Sequence, residues 1–199
     1  RVKLYTRNLE DVSEMFPEIV EEAQKLECNS IILDSEVIGW DAKKNTFLSY
    51  QDTMTRKRKY GVDELSNSVP VRSFAFDVMY LEGVSLVSKD TQERVGILRK
   101  MLVGCEKITL AQSLVVKSTE ELKSFFNKCV EENLEGLIAK KLTGGYTPGG
   151  RNFEWIKLKK SFMNELSDSV DVVILGYYLG SGKRTKFGIG ALLCGVYND

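Results

Sequence analysis

The chain has 199 residues, enough to bury a full core with room for one domain plus part of another. Its 28 basic and 28 acidic side chains cancel, so any hold on a polyanion must come from local patches, and with no histidine there can be no Ser-His-Asp triad, histidine-ligated zinc or histidine general base within it. Four cysteines without a C-x-x-C pair read as reduced, buried thiols of an intracellular protein, and neither a signal peptide nor an apolar run near the roughly 20 residues of a membrane span is visible.

Arg1–Asn8 alternates and reads as a strand already under way, so further sequence is expected upstream. Phe16, Ile19, Val20, Ala23 and Leu26 have helical spacing, with Pro17 suited to a first helical position. Ile31–Trp40 reads as a strand in which Asp34 and Glu36 share a face with Ile32 and Ile38. Two carboxylates there are costly unless a charge meets them, and a structural salt bridge or a functional cation both answer. After the loop Asp41–Asn45 comes a basic run, Arg56-Lys57-Arg58-Lys59, open to reading as a solvated loop or as a phosphate contact.

Ser73–Leu81 is an apolar strand interrupted by Asp77; Phe74 and Phe76, taken singly, belong to a core. Val95, Leu98 and Leu102 mark a helix over Thr91–Leu102, Ile108–Val116 a further strand, and Ser118-Thr119-Glu120-Glu121 a capping box opening a helix with Leu122, Phe125, Phe126, Cys129 and Val130 inward. That helix leads to Glu135-Gly136-Leu137-Ile138-Ala139-Lys140, then a glycine-rich turn region, Thr143–Arg151, and Trp155-Ile156-Lys157-Leu158-Lys159. Strand alternation puts Trp155, Lys157 and Lys159 on one face and Ile156 and Leu158 on the other, toward a core. Lys140 follows Glu135 by five residues, so the two share a face only if the chain bends, for instance at Gly136. One carboxylate and several amines suit a polyphosphate and its metal ion, although a solvated lysine face has the same pattern.

Past Lys160 the sequence turns polar, and Val170–Leu179 and Gly188–Tyr197 read as strands around Gly180–Lys186. A domain boundary is expected near residue 166. The elements alternate irregularly, which favours an α+β domain of mostly antiparallel sheets over a doubly wound one.

Five stretches, in order, resemble the ATP-dependent DNA ligases of the replicative type: Thr6-Arg7-Asn8, Asp34-Ser35-Glu36, Phe74-Ala75-Phe76-Asp77, Glu135–Lys140 and Trp155–Lys159. The basic run at Arg56 and the segment Ile174–Arg184 add to the likeness, the latter resembling the opening of the ligase OB-fold domain. The resemblance implies a nucleotidyltransferase (ATP-grasp-like) lobe over 1–166 and the first strands of an OB-fold β-barrel over 167–199. It implies ATP (AMP) and Mg²⁺ as cofactors, nicked double-stranded DNA as partner, a monomer, and no membrane.

The same resemblance implies roles. Phe76 would stack on adenine, Glu36 would hold the ribose or help with metal, and Arg7 would contact the nucleotide or the nick phosphate. Glu135 would help hold the metal, while Lys157 and Lys159 would grip the α-phosphate. Trp155 is expected to pack, and Lys140 ranks below the others. Arg56, Lys57, Arg58 and Lys59, with Lys183, Arg184 and Lys186, would touch DNA. The family's nucleophilic lysine sits in a Lys-x-Asp-Gly motif, which does not occur among these residues. The chain is therefore expected to be an internal piece of a ligase. Capping guanylyltransferases and RNA ligases share the motif order, and a non-catalytic module binding nucleic-acid ends is the rival of another class.

Overall fold

The computed structural model describes residues 1–56, 69–132, 134–150, 153–160 and 172–196. The chain divides into two compact units, Arg1–Leu158 and Lys159–Asp199. The boundary expected near residue 166 falls in 161–171, outside the described residues.

The first unit is organised on two long antiparallel strands, β1 (Ile31–Asp41) and β3 (Val71–Leu81). β2 (Thr46–Phe47) extends the sheet beside β1, β4 (Val84–Ser85) pairs antiparallel with β3, and β5 (Ile108–Leu110) joins β3 in parallel. Along β3, Val71, Ser73, Ala75 and Asp77 are buried while Arg72, Phe74 and Phe76 are half-buried, the alternation expected of a strand with one core face. Gly39 of β1 admits no side chain: an added Cβ would lie 2.9 Å from that of Leu48.

Helices α1 (Pro17–Ala23) and α3 (Thr91–Met101) and the residues flanking them supply the core with Phe16, Ile19, Leu26, Leu98 and Leu102, against Val71, Ala75, Val78 and Ile108. Pro17 does open α1, where its missing N–H costs nothing. The buried Glu22 fastens α1 to the approach to β5, accepting from the backbone N–H of Glu106 and of Lys107 (3.1 Å) and from Lys25 Nζ (2.8 Å). Burial opposes its charge, but these donors outweigh burial and hold the carboxyl at about 2. The short α2 (Tyr50–Thr55) is capped by Ser49, whose hydroxyl accepts from Asp52 N–H. Helix α4 (Thr119–Glu131) opens on the expected capping box: Ser118 Oγ accepts from Glu121 N–H at 3.1 Å. The Glu121 carboxylate reaches one residue further back than the usual box, to Lys117 N–H at 2.7 Å. Phe126 and Cys129 are its buried residues, with Leu122, Phe125 and Val130 less enclosed.

Several expectations are corrected. Arg1–Asn8 is not a strand; one bridge, Tyr5 to Asp11, closes a turn in which Thr6 Oγ1 accepts from Asn8 and Glu10 N–H and Leu9 takes φ 62°. The side-chain hydroxyl competes for backbone donors that a ladder would need. The strand expected over Ile108–Val116 ends at Leu110, and Leu114 and Val115 are exposed. Cys28, Cys105, Cys129 and Cys194 are all free, but of the four only Cys129 is buried: Cys28 and Cys105 are half-buried and Cys194 is exposed.

Strands β6 (Gly136–Lys140) and β7 (Trp155–Lys159) pair in a separate two-stranded sheet. Ile156 does not reach a core: it is 49% exposed, and Ile138 of β6 is 41% exposed. In the second unit β8 (Val173–Leu179) and β9 (Ile189–Gly195) form an antiparallel hairpin across the 3₁₀ turn Gly182–Phe187, its apolar side chains largely exposed.

Candidate nucleotide site

Phe76 owes its position to a break in register. Asp34 of β1 faces Asp77 and Ser35 faces Ala75, leaving Phe76 as an extra residue on β3 without a cross-strand partner on β1. Such a bulge re-aims a side chain and sharpens the local twist. Two residues from separate stretches gather at its ring. Lys140 Nζ donates to the Phe76 carbonyl (2.9 Å), and lies 4.9 Å from the Phe76 ring centre and 3.7 Å from that of Trp155. Trp155 stands edge-on to Phe76 at 6.1 Å and to Tyr146 at 5.3 Å. Ammonium–ring contacts of this kind are worth about 2 kcal/mol when desolvated.

A layer of charge lies beneath. Asp77 and Arg94 of α3 are both fully buried and joined twice, Nε to Oδ1 at 2.7 Å and a terminal nitrogen to Oδ2 at 3.2 Å. Lys140 approaches Asp77 Oδ2 at 3.4 Å. Arg94 also donates to the carbonyls of Gly144 (3.1 Å) and Lys89, tying the glycine-rich loop after β6 to the start of α3. Thr91 Oγ1 meets the same Gly144 carbonyl at 2.9 Å. Tyr146, in that loop, donates its hydroxyl to Asp34 Oδ2 at 2.6 Å. Burial, and then Asp34, push the Tyr146 phenol well above its usual range. Burial pulls the Lys140 ammonium below its usual value, and Asp77 opposes that pull. The facing Trp155 ring also favours the cation, so the arrangement is that of a charged lysine.

The residues expected from sequence are placed as follows. Glu36 is exposed on β1 opposite Phe74, next to the bulge. Glu135 is exposed immediately before β6, and Gly136 follows it with φ 141°, a conformation that favours glycine. Lys157 is exposed on β7 and Lys159 half-buried, while Arg7 is exposed in the Thr6–Leu9 turn. Arg56 departs from the expectation of a DNA contact: it is 1% exposed, paired with Glu18 and donating to Met15 O at 3.2 Å. A guanidinium turned into the core has no reach to a phosphate outside. Lys57, Arg58 and Lys59 lie outside the described residues, and Lys183, Arg184 and Lys186 fall in the 3₁₀ turn of the second unit. Sequence reasoning did not select Arg94 or Tyr146. Arg94 could have been found from its place on the inward stripe of Thr91, Leu98 and Leu102, where an arginine needs a buried carboxylate, and Asp77 is one.

No group of three or more acidic or sulfur ligands stands ready for a metal among the described residues. Mg²⁺ does not require one, since it is commonly held by one or two carboxylates together with substrate phosphates and water. Glu36 and Glu135, both exposed carboxylates, fit that kind of donor set.

Comparison with known proteins decides the family. The family model of the ATP dependent DNA ligase domain matches residues 1–159. The chain belongs to that family. It is 44% identical, over its whole length, to a probable DNA ligase of Dictyoglomus thermophilum and 36% identical to DNA ligase 1 of Methanosarcina acetivorans. It spans 34% and 36% of those relatives, about a third of each. Its fold is similar to a mycobacterial DNA ligase D complexed with ATP and MES, with TM-score 0.62 and 25% identity over 97% of this chain and 55% of that one. The mixed α/β ligase domain, mostly antiparallel in its sheets, is thus the fold expected from sequence. Among the described residues no helix is long and apolar enough to cross a membrane.

Proposed function

We propose that this ligase domain is the nucleotide-binding lobe of an enzyme that takes AMP from ATP onto a lysine, passes it to the 5′-phosphate at a nick in duplex DNA, and seals the nick with the 3′-hydroxyl. The observation that carries the reading is the convergence of Phe76, Lys140 and Trp155, drawn from three separate motif stretches, on one wall beside a register break. Adenine stacks on the Phe76 ring, a contact worth about 1–3 kcal/mol by analogy with base–aromatic stacking elsewhere. Glu36, across from Phe74, holds the ribose. Lys157 and Lys159 grip the α-phosphate, each contact near 4 Å contributing roughly 4 kcal/mol at an effective dielectric of 20 before desolvation is subtracted. Arg7, exposed in its turn, meets the nucleotide or the nick phosphate.

Glu135, with Glu36, holds a divalent ion such as Mg²⁺, which when bound offsets negative charge on the phosphates. Fixed lysines do the same for charge that grows on the α-phosphate oxygens as pyrophosphate leaves. Lys183, Arg184 and Lys186, with Lys57–Lys59, contact DNA phosphates. The hairpin of the second unit opens an OB fold from about residue 167, and the enzyme acts as a monomer on nicked duplex inside the cell.

The test is nucleotide use in the ligase that carries this chain. Phe76→Ala should weaken ATP use about tenfold or more with the fold retained, whereas Phe76→Tyr or Phe76→Trp, each keeping a π-face, should stay near the parent. Unchanged ATP affinity in a folded alanine variant returns Phe76 to a packing role, and a preference for GTP over ATP would move the assignment to a capping enzyme.

A further inference from the structure

Tyr146 belongs to no motif stretch, yet it joins three elements of the first unit. Its hydroxyl reaches Asp34 on β1 at 2.6 Å, its ring meets Trp155 of β7 edge-on, and its backbone N–H donates to Val87 O at 2.7 Å, ahead of α3. Around it stand two carboxylates, Asp34 and Asp77, and two cations, Lys140 and Arg94, whose guanidinium lies 5.9 Å from the Tyr146 ring. Arg94 is committed to Asp77 by two bonds and to two loop carbonyls. Lys140 is the movable partner: a flexible stem, three donors, and two carboxylates whose charges both act on it.

We propose that Tyr146 is a positioning residue for the nucleotide wall: by satisfying Asp34 with its hydroxyl it leaves Lys140 seated on the Phe76 carbonyl and over the Trp155 ring. The inference rests on the proposed adenine contact of Phe76. Without the phenol, the Asp34 carboxylate has lost a part-buried donor and draws Lys140, on which its charge already acts. Lys140 then leaves the Phe76 carbonyl and the Trp155 face, and the bulged ring loses the groups that fix its direction. The hydroxyl acts on the ring only through Asp34 and Lys140, so removing the competing charge should undo the damage.

The experiment follows formation of the enzyme–adenylate in the carrying ligase at varied ATP, for Tyr146→Phe, Asp34→Asn, the double variant and Phe76→Ala, with thermal denaturation as the folding control. Tyr146→Phe should raise half-saturating ATP about tenfold, the size of one hydrogen bond to a charged group, with the maximal rate changed less than about threefold. In the double variant the neutral amide in place of the Asp34 carboxylate exerts no net pull on Lys140, and half-saturating ATP should return to within about threefold of the parent. No rise in Tyr146→Phe overturns the proposal. So does a double variant that is as impaired as Tyr146→Phe or worse, since that is the behaviour of simple packing. If Phe76→Ala leaves ATP use unchanged, it is the nucleotide pocket itself that fails, whatever Tyr146 does.

Discussion

Removing Arg94 tests whether the lobe depends on its buried charge layer. Both members of the Arg94–Asp77 pair are fully buried, and the guanidinium also serves the Gly144 and Lys89 carbonyls. Arg94→Met keeps much of the volume while leaving Asp77 as a buried carboxylate and taking one donor from the Lys89 carbonyl and one from that of Gly144, which keeps Thr91 Oγ1. Breaking a buried pair from one side costs about 3–5 kcal/mol. Lys140, at 3.4 Å from Asp77 Oδ2, remains to offset part of that, which places the expectation near the lower figure. With a urea slope of about 2 kcal/mol/M, the midpoint should fall by roughly 1.5 M. Fluorescence is the apt probe, because both tryptophans, Trp40 and Trp155, lie in the Arg1–Leu158 unit. Adding Asp77→Asn to Arg94→Met removes the stranded charge and should recover a substantial part of the loss. A midpoint shift below about 0.5 M for Arg94→Met, or strictly additive losses in the pair, would refute the reasoning.

Glu22, held at about 2, contributes stability that is present above the ordinary carboxylate range and lost as pH falls from 4.5 toward 2. Glu22→Gln should therefore be less stable than the parent at neutral pH and show a shallower acid limb in thermal denaturation followed from about pH 7 to about pH 2; parallel curves would contradict this. Neutralising Lys183 and Arg184 in the carrying ligase should lower the slope of log K for nicked DNA against log salt by about 0.9 per lost phosphate contact, and an unaltered slope would make them solvated loop residues. Residues 1–199 alone, given labelled ATP and Mg²⁺, should form no acid-stable lysyl-AMP, because Lys157 and Lys159 must stay protonated to serve as phosphate donors. A stoichiometric AMP adduct on either lysine by intact-mass spectrometry would overturn their assignment.

The legible parts of this fold are those where a local pattern and a tertiary demand coincide. Pro17 with its 3–4 spacing specifies α1, where the missing N–H leaves no donor to satisfy, and Ser118 with Glu121 specifies the start of α4, where the neighbours along the chain supply the groups that satisfy the backbone. Alternation is enough to find β1 and β3. It does not reveal that Phe76 has no partner on β1, because register is settled by the facing strand, which is distant in sequence. Nor does composition distinguish Arg56 from its three basic neighbours. Its burial depends on Glu18 arriving from α1, a contact set by packing and not by the run itself. Ile156 is the converse: its pattern is that of a core strand, but in the two-stranded sheet of β6 and β7 it is left 49% exposed.

The candidate site shows the same division at closer range. Short motifs mark the groups proposed to touch the nucleotide, because stacking and phosphate contact demand particular side chains at particular places. What orients those groups is spread over the chain: Arg94 on α3, Asp34 on β1 and Tyr146 in the loop after β6, and the contacts that give them this task are made only in the fold. Asp77 links the two classes. It follows the bulged Phe76 directly, so the backbone that carries the stacking ring is pinned by the carboxylate next to it, and that carboxylate is in turn fixed by Arg94 and approached by Lys140. A change at Arg94 should therefore be felt at the ring through Asp77. The lobe's stability and the aim of its proposed nucleotide wall depend on the same buried charges.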